Sequence, residues 1–328
     1  MTKPLVVALL ALVAAGCASR LDIQGHRGAR GLLPENTLPA FERAIDLGVT
    51  TLELDVAVTR DGVVVISHDA SLNPDITRGP GGAFLAERGP AINDLSFEAL
   101  QGYDVGRLNP DRNYAKAFPE QQAVDGTRIP RLSDLFDLAK RKGDARVRFN
   151  VEIKSDPTRP ELSLPPEPFA RAVLEEIRRA GMQRRVVVQS FDWRPLAAVH
   201  ELAPDIEIAF LTVRAQGFDT ICTGPATGKR DAPASDCQAS PWTGSHQYRD
   251  YGSVPKMVRA AGGRVWSPRH EDVDEAVLRE AHALGLRVVV WTVNEPQAIG
   301  KMLALGVDGI ISDRPDIVMR LARDRAAR

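Results

Sequence analysis

From Leu21 onward, short apolar runs rich in β-branched residues alternate with longer stretches whose apolar positions recur every three or four residues. A strand buried on both faces reads as a continuous apolar run, and a helix lying on it shows a single apolar stripe. The alternation therefore predicts a parallel sheet wrapped by helices. Strands are expected at Leu21–Gly25, Thr51–Val58, Val147–Ile153, Val186–Gln189, Ile206–Leu211, Arg264–Trp266, Arg287–Trp291 and Gly309–Ser312. Helical patterns lie between them at Leu38–Leu47, Leu132–Arg141, Phe169–Ala180, Asp274–Leu284 and Pro296–Leu305. Gly48, Gly181, Gly285 and Gly306 follow four of these, where a left-handed C-cap is wanted. Eight strands in this alternation predict an α/β chain closed into a (β/α)8 TIM barrel.

Two regions break the rhythm. Asp61-Gly62 between two apolar runs is a hairpin signal, so the second strand is expected to fold back at Val63–Ser67. The Gly-, Pro- and Asn-rich stretch from about 70 to 128 then reads as an insertion after strand 2, and insertions after barrel strands lie over the catalytic face. The second break, a long loop after strand 5 from Thr212 to Pro255, carries Cys222 and Cys237. In an oxidising compartment that pair predicts a disulfide closing a surface loop, worth roughly 3 kcal/mol on a loop-entropy basis.

The N-terminus stands apart from this pattern. Lys3, the apolar run Leu5–Ala15 and the small residues Ala14, Ala15 and Gly16 ahead of Cys17 predict an export signal over residues 1–16, too short to span a bilayer. The junction resembles the lipobox of bacterial lipoproteins, with Ala14 where Leu is commonest. That resemblance implies lipidation of Cys17, a mature chain 17–328 forming one domain, and, from Ala18, forwarding to the outer membrane of the periplasm. The competing reading is an ordinary secretory signal. At 44% hydrophobic and 26% charged residues the remainder is a globular chain, not a disordered or collagen-like one. The 42 basic and 43 acidic side chains leave a formal charge of -1, so the overall field gives no reason to expect nucleic acid. Any anion recognition must be local, and the membrane is expected to be met only through an N-terminal lipid anchor.

Barrel enzymes assemble their sites at strand C-termini, and polar residues crowd there in this chain. His26-Arg27-Gly28 follows the first strand. Glu53 and Asp55 lie two apart in the second and so share a face, and Glu152 and Lys154 repeat that spacing in the third. His68-Asp69 ends the returning strand. Burying Glu53, Asp55 and Glu152 among aliphatic neighbours is costly unless a cation neutralises them, and all-oxygen ligands favour Ca2+ or Mg2+. Singly, each pair is better explained by a solvated edge or a surface ion pair; their recurrence at successive strand ends reverses that and favours one divalent cation. His26 and His68 suit acid/base work near neutral pH, while Arg27 and Lys154 suit phosphate oxygens. Trp291 is placed either against substrate carbons or as filling of the barrel top. Glu35 is read either as holding the site or as part of a cap, with Asn36 or Thr37 capping the following helix. Gln189 is placed at the pocket, and Asp313 and Arg314 are read as a structural pair.

His26-Arg27-Gly28, Pro34-Glu35-Asn36-Thr37, Glu53-Leu54-Asp55, His68-Asp69, Glu152-Ile153-Lys154, Trp291-Thr292-Val293-Asn294 and Asp308–Pro315 occur in the order typical of glycerophosphodiester phosphodiesterases. The sequence resembles that family over essentially the whole mature chain. The resemblance implies hydrolysis of glycerophosphodiesters to sn-glycerol 3-phosphate and an alcohol. It also implies Glu53, Asp55 and Glu152 as metal ligands, His26 and His68 as acid and base, and Arg27 and Lys154 around the phosphate. Two other readings stand beside it: the same barrel acting on lysophospholipids or other lipid-derived phosphodiesters, and a surface lipoprotein that binds a partner.

Overall fold

The computed structural model describes residues 21–327. The apolar leader and Cys17 lie outside the described residues. Eight parallel strands close on themselves: β1 (Asp22–Gly25), β2 (Thr51–Val58), β3 (Arg148–Ile153), β4 (Val186–Ser190), β5 (Glu207–Thr212), β6 (Val265–Pro268), β7 (Arg287–Val290) and β8 (Gly309–Ser312). Closure comes from β1, which pairs in parallel with β8 through Asp22–Gly309 and with β2 through Gln24–Thr51. Outside the staves run α1 (Leu38–Leu47), α2 (Leu132–Arg141), α3 (Pro166–Ala180), α4 (Trp193–Leu202), α5 (Val254–Ala260), α6 (Glu275–Ala283), α7 (Pro296–Leu305) and α8 (Pro315–Ala326). The expected (β/α)8 barrel is the observed one.

Local chemistry sets the element ends. The Thr37 hydroxyl accepts from the Ala40 amide and starts α1, and Gly48 at φ 86° ends it in the left-handed region that a side chain disfavours. Helix α3 begins three residues before the periodic apolar pattern does, because Pro166 at its first turn has no amide to leave unpaired. Strand β7 stops at Val290, so Trp291 stands just beyond it, tied to Arg269 by an isolated bridge.

Strand alternation sorts the staves into two shells. Leu52, Leu54, Val56, Phe149, Val151 and Ile153 face outward and pack with the helices in the main core. The opposite faces fill the barrel: Val187, Ala209, Val265, Val289 and Ile311 form its apolar lining. A polar layer sits beside them, where Asn150 donates to Gln24 and Gln189, and Gln189 in turn donates to Glu53 at 2.9 Å. The barrel interior thus leads through amides to the first acidic group.

The Asp61-Gly62 turn reverses the chain, and Val64–Ile66 pairs antiparallel with the end of β2. Residues 70–128 follow as irregular chain with short helical turns. They gather their own small core, where Leu72, Ile92, Leu100 and Val105 pack on Ala57 and Val65. In the segment after β5, a disulfide joins Cys222 to Cys237 with Cα atoms 5.1 Å apart, both sulfurs packing around Ala226. Replacing both cysteines with alanine is expected to lower unfolding free energy by roughly 3 kcal/mol, the loop entropy of such a closure. Urea unfolding of the double variant measures this, and an unchanged midpoint would refute it.

Candidate active site

Strand register explains why the acidic groups meet. Asp55 on β2 lies directly opposite Glu152 on β3, and Glu53 sits one inward-facing position below Asp55. The three carboxylates each offer an oxygen within 4.8 Å of the others. All are buried, Glu53 at 2%, Asp55 at 1% and Glu152 at 6% of full exposure. Glu53 accepts from the Arg27 amide at 2.9 Å, and Asp55 from the Asn36 side chain at 2.9 Å. Lys154 donates to Glu152 at 2.7 Å and stands 3.7 Å from Asp55. Arg27 pairs with Glu35 at 2.6 Å and lies 3.3 Å from Asp55, yet its buried Nε has no hydrogen-bond partner.

The charges do not balance without help. Glu35, Glu53, Asp55, Glu152 and Asp313 share Arg27, Arg30 and Lys154, so with all five carboxylates ionised the cluster lacks two positive charges. Burial pushes Glu152 up to about 7, Lys154 opposing the shift and Asp55 adding to it. Burial, with Asp55 and Glu152 nearby, likewise raises Glu53 well above the ordinary carboxylate range. Asp55 is held low: burial alone would raise it, but His68, Arg27 and Lys154 outweigh that. Carboxylates that keep protons for want of a counter-charge fit one hard divalent cation, because oxygen ligands suit Ca2+ or Mg2+ and deprotonation accompanies binding.

Both imidazoles open onto the same mouth. His26 Nδ1 lies 2.7 Å from Asp313 Oδ1, and its Nε2 faces Glu53 at 3.9 Å. Asp313 is immobilised by Arg30 Nε at 2.7 Å and by Asn294 Nδ2 at 2.7 Å. Burial and Arg30 pull His26 down to about 4 against the opposing effect of Asp313, so at neutral pH the ring is neutral. With Nδ1–H donated to Asp313, the Nε2 lone pair points to the acidic cluster. His68 is placed by the returning strand, whose Ser67 amide donates to the Asp55 carbonyl at 3.0 Å. Burial lowers its pKa too, with Arg27 and Lys154 adding to the effect, and Asp69 stands 3.8 Å from its Nδ1.

The backbone around these groups is unusual. Among the described residues, the non-glycine residues with positive φ are Arg27 at 50° and Asn36 at 56°. Each costs about 1 kcal/mol or more, and each delivers a side chain to Asp55. Gly28 at φ 89° must stay small, since a Cβ there would meet the Ala40 backbone at 2.7 Å. The His-Arg-Gly turn is thereby pressed against α1.

A family model described as the glycerophosphoryl diester phosphodiesterase family matches residues 26–317. The chain belongs to that family. It is 29% identical to a glycerophosphodiester phosphodiesterase of Bacillus altitudinis over 92% of its own length and 98% of that protein's. It is similar to a solved Silicibacter pomeroyi structure assigned to the same class, with 35% identity, a TM-score of 0.79 and coverage of 94% and 95%. An Oleispira antarctica phosphodiesterase solved with its product sn-glycerol-3-phosphate shares the fold at 19% identity and a TM-score of 0.65, over 92% and 96% of the two chains. As a family member, this chain is a phosphoric diester hydrolase of (β/α)8 form.

His26, Arg27, Glu53, His68, Glu152, Lys154 and Trp291 line one pit of about 150 Å3 above the barrel. Asp55 lies beneath it in the acidic cluster. Trp291 donates its indole N–H to the Ser267 carbonyl at 2.8 Å and sets its ring edge-on to Phe191. Gln189 lines the pit as expected and also braces Glu53 from below. Thr37 is the helix cap, and Glu35 holds Arg27.

Asp313 and Arg314 are not a pair. Adjacent residues leaving a strand point apart, so Asp313 turns to His26 and Arg30 while Arg314 binds Asp316 and Glu120. Arg30 and Tyr114 are further site residues that the sequence patterns do not single out, and Asn294, the last residue of the Trp291–Asn294 motif, holds Asp313. Tyr114, from the 70–128 insertion, bonds both Glu35 and Arg30 and so ties the insertion to the site.

Proposed function

We propose that this chain hydrolyses glycerophosphodiesters to sn-glycerol 3-phosphate and an alcohol, with Glu53, Asp55 and Glu152 holding one Ca2+ or Mg2+. The observation that carries the reading is the gathering of three buried carboxylates within 4.8 Å of one another beside two imidazoles and two cations. The product seen in the Oleispira antarctica relative is the chemistry the reading transfers. When bound, the cation would neutralise charge on the equatorial phosphate oxygens.

The chain's own groups do the rest. Lys154 and the free edge of Arg27 orient the phosphate in the pit, Lys154 as a point charge and Arg27 as a planar fork. Neutral His26, its tautomer fixed by Asp313, takes or returns a proton at Nε2. His68 serves the opposite side of the phosphorus. One ring, entering neutral, removes a proton from the attacking water as its oxygen bonds to phosphorus, and the other, entering protonated, delivers its proton to the alcohol oxygen as that P–O bond breaks.

Purified protein on glycerophosphocholine is expected to release glycerol 3-phosphate, to stop on chelation with EDTA, and to recover when Ca2+ or Mg2+ is restored. Turnover that survives complete cation removal would reject the reading. A second expectation follows from Glu152 at about 7 and the raised Glu53. Cation binding must expel the Glu152 proton, so apparent affinity should fall roughly tenfold per pH unit below about pH 7, and the raised Glu53 should steepen the fall. Calorimetric titration in buffers of different ionisation enthalpy reads the released protons; a pH-independent affinity would contradict it.

A further inference from the structure

The catalytic pit opens into a second cleft of about 730 Å3, and the two share His68, Glu152, Lys154, Phe191 and Trp291. A glycerol phosphate occupies a space on the order of the inner pit alone, so the outer cleft falls to the leaving alcohol. One wall of that cleft is a run of four aromatic rings. Trp291 meets Phe191 edge-on at 5.3 Å, Phe191 meets Phe218 at 5.7 Å, and Phe218 meets Trp242 at 5.6 Å. The run leads from the phosphate-binding pit out onto the segment after β5, the one that the Cys222–Cys237 disulfide braces. Phe218, at its outer part, is 44% exposed and is the one exposed large hydrophobic residue among those described.

A wall of rings beside a phosphodiester site fits two chemistries, a quaternary ammonium or an apolar chain. The charges around it separate them. A cationic head group is favoured where a free carboxylate joins the rings, whereas each carboxylate lining the cleft is already engaged within the chain. Asp156 is bonded by Arg159 and Thr158, and Asp69 by Asn73. Asp219 accepts from three backbone amides, and Glu152 is bound by Lys154. Arg88, Arg159 and Lys154 add positive charge to the lining. What remains uncovered is apolar: the Phe218 ring and its neighbours.

Resting on the hydrolytic reading above, we infer that the outer cleft is a subsite for a leaving alcohol that carries an extended apolar chain, such as an N-acylated amino alcohol. The rings shield that chain from water while the phosphate sits in the pit. Selectivity for the chain then resides in Phe218 and Trp242, outside the pit where bond breaking occurs.

The test compares kcat/KM for glycerophosphoethanolamine and its N-octanoyl derivative, in the presence of Mg2+ or Ca2+. The octanoyl ester should be preferred by about tenfold or more, since each buried methylene adds to binding. In Phe218→Ala that ratio should fall at least about fivefold. A wild-type ratio near one, a preference for glycerophosphocholine over the octanoyl ester, or a ratio unmoved by Phe218→Ala would overturn the assignment. Binding of the product alcohol N-octanoylethanolamine, read by tryptophan fluorescence with ethanolamine as control, separates the two readings. If neither ester is cleaved but N-octanoylethanolamine binds and Phe218→Ala abolishes this, hydrolysis fails and the apolar subsite stands. If N-octanoylethanolamine does not bind better than ethanolamine, the subsite fails whatever the activity.

Discussion

Glu152→Gln is expected to lower kcat/KM by about a thousandfold or more while leaving the cation-free protein at least as stable as the parent. On the proposed cation site, the first half follows from the loss of one charged ligand out of three, which would remove several kcal/mol of charge stabilisation from the phosphoryl-transfer step. The second half follows from the electrostatics of the cluster when no cation is supplied. Glu152 is pushed up to about 7 by burial and by Asp55, so in the absence of a cation its charge is a burden on the fold that an amide does not carry. Lys154, which loses its partner at 2.7 Å, still has Asp55 at 3.7 Å. Thermal melts with EDTA and with Mg2+ or Ca2+ provide the check. The parent should gain stability on adding the ion, by linkage to binding in the native state alone, and the variant should gain little. A variant that melts far below the parent in EDTA would show that Glu152 is chiefly structural, and one that keeps full activity would remove it from the site.

Asp55→Asn should behave differently, and the contrast sharpens the argument. Asp55 is held low by His68, Arg27 and Lys154 against the cost of its burial, and it receives the Asn36 amide. Its charge is already matched by cations, so removing it strips Arg27 and Lys154 of a partner as well as the proposed ion of a ligand. The two carboxylates share a register position on neighbouring staves, but one relieves strain when neutralised and the other creates it.

The parts of this site legible in the sequence are those governed by local periodicity. Glu53 and Asp55 lie two apart within one strand, and an apolar run around them marks the strand as buried on both faces. The Asp61-Gly62 turn likewise places His68 back beside Asp55, because a hairpin fixes where the return strand ends. Residues joined only by closure of the barrel are invisible to such patterns. Asp313 is 287 positions from His26, and nothing in either neighbourhood announces that β8 brings them within 2.7 Å. Adjacency in the chain suggests Arg314 as the partner of Asp313, and strand geometry turns the two apart. Tyr114 sits in an insertion without periodicity, so neither its bond to Arg30 nor the one to Glu35 has a local signature. The positive φ of Arg27 and Asn36 is equally hidden, since neither residue type demands it.

The prediction that depends most on that hidden contact concerns His26 and Asp313 as a unit. His26→Ala should cost about a hundred- to ten-thousandfold in kcat, the usual range for a positioned acid/base. Asp313→Asn should lower kcat by a substantial part of that loss with little change in KM, because Asp313 does not touch the pit and acts only by holding Nδ1–H. An asparagine can present its amide group to Nδ1 and favour the tautomer whose lone pair points away from the acidic cluster. If the pair acts as one device, the double variant should be no slower than His26→Ala alone, and the two effects should be far from additive. Additive losses would mean that Asp313 supports catalysis by another route, through Arg30 or the β8 end. The pH profile separates these: freed from Asp313, His26 loses an influence that raises its pKa, so the ring should remain neutral to still lower pH. A mere loosening of β8 would instead lower thermal stability and raise KM, leaving the acidic limb of the profile in place.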